Sequence, residues 1–478
     1  MADLNKHKVH KVNSLASVTS VESGQQYEEG SSKVPPIPFG KPEKDDQDAN
    51  SFVKNRLQAE HSLANWQAMI HLMKGLVGTG ILSLAAGYAN AGLWTGFVLT
   101  VIIIGIDIHC MNMLIRASQF YCVTQGYPKL DYADLAETAA KHGPRFFRNF
   151  TYILRFLVNS CLMITQLGFC CAYLAFTAQN IEQVINYYAV KPGGHPPMNV
   201  HAYLAIILVP VICLALVRHL KYLAPVSALS NILYGIGLVI TLQYICRDFK
   251  PTSSVPAWNS WATLPLFFGT VMFSFEGVSL NRMRDPLAMP GWTGVLNCTC
   301  WAVAALYCGI GFFGYLKFGM DAKTQGTITL NLPNDQVLYQ IVKIVLAIAV
   351  FCTYAVQFYV PIEILVGWLQ VKFPSDERKV LIFEYAGRVG MVIITFGLAE
   401  LIPHVDLFIS LVGSFTGAAL ALIFPPLIDL LARYPSHSYG SYNWMLVKNA
   451  LIMILGFLGF IFGTYSSVLA IVDKFRNG

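Results

Sequence analysis

Apolar residues run along this chain in long blocks joined by short polar connections, from about residue 66 to residue 472. Spanning the hydrocarbon of a bilayer takes roughly 17–25 mostly apolar residues in a helix. The blocks at 66–90, 93–115, 150–185, 201–217, 222–246, 262–280, 293–316, 336–369, 380–400, 404–430 and 444–472 meet that length. The pattern therefore predicts an all-α polytopic membrane protein of about eleven transmembrane helices. Residues 1–64 are polar, rich in Ser, Lys and Glu, with a Pro-bearing patch at Val34–Pro38. That composition predicts a disordered cytoplasmic tail, a membrane domain over 65–473 and a short C-terminal tail over 474–478. The segment Leu130–His142 has helical spacing and mixed polarity, which predicts a short helix on the inner face.

Composition sharpens this picture. The chain is 55% hydrophobic and only 13% charged, against roughly 45–50% and about 25% in soluble chains. A cytosolic enzyme, a nucleic-acid binder and a disordered scaffold are excluded as first readings. The net charge of +6 is mild and forms no dense basic cluster, so no nucleic-acid partner is expected. Basic residues gather in alternate connections, at Arg116, Arg145, Arg148, Arg218, Arg282 and Arg378 among others. By the positive-inside rule these connections are cytoplasmic, with the N-terminus cytoplasmic and the C-terminus outside or lumenal. The 11 cysteines lie in or beside apolar blocks and read as small core hydrophobes. No metal-ligand cluster, phosphate-binding loop or nucleophile–base constellation is present, so no metal, cofactor or enzymatic activity is expected.

Two spans carry internal breaks. The first contains Gly75-Leu-Val77-Gly78-Thr79-Gly80-Ile81, and three glycines in six residues weaken a helix by about 1 kcal/mol each. Unwound backbone at membrane depth is tolerated only where it lines a cavity. A second half-helix starting near Gly80 then aims free N–H groups and a positive dipole end into that cavity, which suits a carboxylate. Close helix packing through small residues is the competing reading. Five spans later comes Phe273-Ser274-Phe275-Glu276-Gly277, with an acid beside a glycine near mid-span. Paired breaks in corresponding positions of two halves point to a transporter binding site.

The motif His71-Leu-Met-Lys74-Gly75-Leu-Val-Gly78-Thr79-Gly80 resembles the first helix of proton-coupled amino acid transporters, in the amino acid/auxin permease group. The run at 267–277, Gly326–Pro333, Tyr354–Pro361 and Ile409–Ser414 continue the resemblance over about residues 50–472. The resemblance implies a leucine-transporter-type 5+5 inverted repeat plus one extra helix. It implies symport of protons with small neutral amino acids such as glycine, alanine or proline, across the plasma membrane or a lysosomal or late endosomal membrane.

The residues suggest roles within that frame. Backbone amides around Gly78–Ile81 suit the substrate carboxylate, and carbonyls near Val77 and Ser274 suit the ammonium. Phe275 is a candidate gate, and Gly75 and Gly277 flank the breaks. His71 has the side chain whose ordinary pKa lies nearest neutrality. It reads as a structural histidine or a proton carrier, and the resemblance assigns the matching histidine to proton coupling. Glu276 either carries the coupled proton, pairs with the substrate amine or bridges the sixth span to its neighbours. Lys74 is expected to snorkel toward the surface. In one respect the chain departs from the family: only Val278-Ser-Leu280 separates Gly277 from the polar run Asn281–Pro286. Half a bilayer takes about ten helical residues. The short inner half of the sixth span, with the long polar tail, makes an amino-acid-sensing, transport-impaired receptor the alternative function.

Overall fold

The computed structural model describes residues 65–125, 127, 130–189, 198–218, 220–247, 250–276, 294–374, 376–401, 404–435 and 439–477. The tail expected over 1–64, the short inner half of the sixth span and Gly277 lie outside the described residues.

The main helices are α1 Asn65–Leu76, α2 Thr79–Ala91, α3 Leu93–Gln125, α4 Tyr132–His142, α5 Thr151–Ala189, α6 Val200–Ala215 and α7 Leu220–Ile245. They are followed by α8 Leu264–Ser274, α9 Val295–Phe318, α10 Val337–Lys372, α11 Glu377–Leu401, α12 Val405–Arg433 and α13 Trp444–Asn477. No strand occurs among the described residues. Eight of these helices are long and apolar enough to cross a membrane, and α6 and α8 are shorter apolar helices.

Their positions follow the hydrophobic blocks, with two informative differences. The first block is two helices, α1 and α2, as its glycines suggested. The second block continues as α3 to Gln125, ten residues past its apolar end at 115, because tertiary packing extends it. Ala117, Tyr121 and Cys122 are buried there in a cluster with Leu135, Ala136 and Ala139 of α4. The amphipathic helix α4 thus docks under the bundle: the Tyr132 hydroxyl donates to the Leu420 carbonyl of α12 at 2.6 Å. Its polar face carries Glu137, paired with Lys141 at 2.7 Å and Arg155 at 2.6 Å.

The centre of the bundle is α2 and α8. Every residue of α2 is buried. Helix α8 packs on α2, α12 and α13, while α9 packs on α1, α2 and α3. The opposite extreme is α13, whose Leu451, Ile454, Phe457, Leu458, Ile461 and Phe462 are exposed. An apolar stripe of that size on the outermost helix is the face a bilayer covers.

Contact between α8 and α12 requires glycine. A Cβ at Gly413 would lie 2.0 Å from the Gly269 carbonyl oxygen, and one at Gly269 would lie 2.2 Å from the Ser410 carbonyl oxygen. At this crossing α12 widens into π turns over Gly413–Gly417 and Ala419–Ile423. Such bulges are rare and cluster at functional sites.

Candidate functional site

The chain is non-helical at Val77–Gly78, where Gly78 is extended at φ −129°, ψ −161° and no side chain caps α2. The first amides of a helix have no intrahelical acceptor, so an uncapped N-terminus presents N–H groups. The Val77 amide still donates back to the Met73 carbonyl at 3.0 Å, and the Ile81 amide donates to the Gly78 carbonyl at 3.3 Å. Thr79 is the first residue of α2, and its buried Oγ1 has no hydrogen-bond partner. Ile81 is fully buried. Gly75 lies in the last turn of α1, with no heavy atom within 4 Å of the place a Cβ would take.

The second break comes at the end of α8. The helix stops at Ser274, and Phe275 leaves it at φ −97°, ψ 6°. Gly80 and Ser274 bring the two breaks into direct contact: a Cβ on Gly80 would sit 2.6 Å from Ser274 Cα. Glycine at position 80 is therefore a steric requirement of the crossing.

Three tyrosines from three other helices surround this point. Tyr307 of α9 is fully buried. Its hydroxyl donates to the Leu76 carbonyl at the first break and, at 2.5 Å, to the Ser274 carbonyl at the second. Tyr234 of α7 donates to the Gly78 carbonyl at 2.8 Å. The Tyr173 hydroxyl of α5 lies 3.3 Å from where a Gly78 Cβ would be. The Phe275 ring stands edge-on to Tyr307, with centroids 5.8 Å apart.

Glu276 follows Phe275 and faces α5 and α12. One of its carboxyl oxygens, Oε2, is buried with no partner and lies 3.4 Å from where a Gly417 Cβ would be. Thr165 donates to Thr416 Oγ1 at 2.6 Å, and Thr416 donates to the Val412 carbonyl at 3.0 Å. Asp107 of α3 is also buried, with Oδ1 unpartnered.

Thus Val77, Gly78, Thr79, Gly80, Ile81, Ser274, Phe275 and Glu276 gather around one point, with Gly75 one turn away. His71 lies on α1 seven residues before Gly78, and its side chain is outside the described residues. Lys74 does not reach for the surface: its Nζ donates to Ser227 Oγ of α7. Two residues after Asp107, His109 Nε2 lies 2.8 Å from Lys448 Nζ on α13.

Sequence reading missed Tyr173, Tyr234, Tyr307, Thr165 and Thr416. Each sits alone in an apolar run and looks like packing. The available signal was chemical: a hydroxyl at membrane depth needs a partner, and unwound backbone supplies free carbonyls.

The chain matches the family model for the transmembrane amino acid transporter protein over residues 61–469. It is 34% identical over 422 residues to the proton-coupled amino acid transporter-like protein pathetic of Drosophila melanogaster, covering 87% of each chain. It is 25% identical over 442 residues to the probable amino acid transporter skat-1 of Caenorhabditis elegans, covering 90% of this chain and 95% of that one. Among solved structures, a nucleobase-cation-symport-1 family transporter in a closed conformation aligns at 13% identity and a TM-score of 0.47, over 87% of this chain and 93% of that one.

Proposed function

The chain belongs to the transmembrane amino acid transporter family, and from that premise we propose that it is a symporter of protons and small neutral amino acids, of the size of glycine, alanine or proline. The observation that carries the reading is the meeting of two interrupted helices at Gly80 and Ser274, at the buried centre of a multi-pass membrane protein. A zwitterion entering a low-dielectric slab must exchange its hydration for fixed dipoles. The uncapped start of α2 offers amides and a positive dipole end to the carboxylate, and the unpartnered Thr79 hydroxyl adds a donor. The carbonyls of Val77 and Ser274 take the ammonium. Because the two breaks abut, a short side chain is the one they accommodate with least separation, and Phe275 closes over it.

An acid whose carboxyl oxygen Oε2 is buried without a partner at membrane depth supports Glu276 as a proton carrier. His71, one helix segment away, is the second carrier.

The test is uptake by the purified full-length chain in vesicles with an imposed pH gradient. Labelled glycine, L-alanine and L-proline should accumulate when the outside is acidic and leak back when a protonophore is added. Uptake indifferent to the gradient removes the coupling, and preference for L-glutamate or L-arginine removes the proposed substrate class. The same proton direction serves a plasma membrane and an acidic lysosome, with the N-terminus cytoplasmic in either.

A further inference from the structure

The Tyr307 hydroxyl holds the Ser274 carbonyl, one of the two expected to take the substrate ammonium, and reaches the Leu76 carbonyl next to the other, Val77. It is fully buried on α9 and meets the Leu76 and Ser274 carbonyls together. Each carbonyl belongs to the last residue of a helix, where carbonyls lack an intrahelical donor. A phenol carries one proton, so it serves two acceptors only by sharing. An α-ammonium group carries three N–H donors and satisfies both carbonyls fully.

We infer that Tyr307 is a latch that stands in for the ammonium when the site is empty, holding the two breaks closed until an α-ammonium group displaces its hydroxyl. The inference rests on the transporter reading above and names the residue that sets its affinity. The latch is also linked to the candidate gate. Phe275 packs edge-on against the Tyr307 ring, so a hydroxyl driven off the carbonyls shifts the ring on which Phe275 leans. Tyr234 is placed differently: its hydroxyl reaches the Gly78 carbonyl alone and bridges no second break.

A latched empty state lowers apparent affinity by the fraction of time the site is open. Removing the hydroxyl therefore has a sign opposite to the loss of an ordinary binding contact. The experiment is concentration-dependent uptake of labelled L-alanine by the full chain in vesicles at one pH gradient. Tyr307→Phe should lower KM by about tenfold, since a hydrogen bond contributes roughly that factor. 3-Fluorotyrosine placed at position 307 has a more acidic phenol, donates more strongly and should raise KM several-fold. It is close to isosteric with tyrosine, so it decides the matter even where the Phe variant fails to fold. KM is independent of folded yield, so a merely structural tyrosine would change maximal rate alone. An unchanged or raised KM in Tyr307→Phe overturns the latch, as does an unmoved KM with the fluorinated residue. Wild-type vesicles that neither bind nor accumulate any amino acid would instead remove the transporter reading, and the latch with it.

Discussion

Gly80→Ala is the substitution that most directly loads the crossing of the two breaks. The added Cβ lies 2.6 Å from both Cα and Oγ of Ser274 and 2.9 Å from its Cβ. Ordinary carbon–carbon contact begins near 3.5 Å, so α2 and α8 must separate by about 1 Å. Ser274 is poorly placed to yield. Its Oγ donates to the Thr270 carbonyl at 2.6 Å, its own carbonyl accepts from Tyr307, and Gly269 one turn earlier is already pressed on Ser410. Overpacking of this kind costs roughly 1–3 kcal/mol of stability. The functional loss should be larger, because a displacement near 1 Å in a positioned site costs on the order of 100-fold. Gly75→Ala is the matched control: nothing lies within 4 Å of its Cβ, and an alanine in α1 gains about 0.5–1 kcal/mol in helix propensity. L-Alanine uptake in pH-driven vesicles, with a melting curve for each purified variant, separates the two. Gly80→Ala should lose about 100-fold in uptake efficiency and melt a few degrees lower, while Gly75→Ala keeps both. Near wild-type uptake by Gly80→Ala would refute the idea that the substrate site lies at this contact.

Other expectations address the proton path and the docked helix α4. Glu276→Gln should abolish accumulation against a gradient yet retain exchange of labelled for unlabelled L-alanine. Gradient-driven accumulation at the wild-type level would sink the proton-carrier role. His71→Ala should flatten the dependence of uptake on external pH, and a profile matching wild type would take His71 out of the coupling. Glu137 lies outside the membrane spans, where burial works against its charge but Lys141 and Arg155 prevail and hold its carboxyl below the usual value. Its folded pKa is depressed, so its stabilising pairs act above the unfolded pKa near 4.3 and are lost as pH falls through the folded value. Arg155→Ala should cost under about 1 kcal/mol at neutral pH because the pair is half exposed. That difference in melting point from wild type should shrink below pH 4, and a difference that grows with acidification would contradict the pairing.

Much of this architecture was legible in order along the chain. Apolar block length sets the helices because every backbone polar group in hydrocarbon must be satisfied within its own segment. The three glycines near Gly78 and the acid at Glu276 marked the breaks because both are costly inside a continuous helix. These are local properties of consecutive residues, and the pattern carries them. What only the tertiary structure decided is which side chains answer the broken backbone. Tyr307 is 33 residues from Ser274 and 231 from Leu76, yet one hydroxyl serves both carbonyls. Thr165 and Thr416 are 251 residues apart, yet their hydroxyls pair across α5 and α12. Such partners are chosen by how the helices cross. A tyrosine that packs against lipid and a tyrosine that latches two helices look identical in one dimension, since the difference lies in an acceptor supplied by a distant turn of chain.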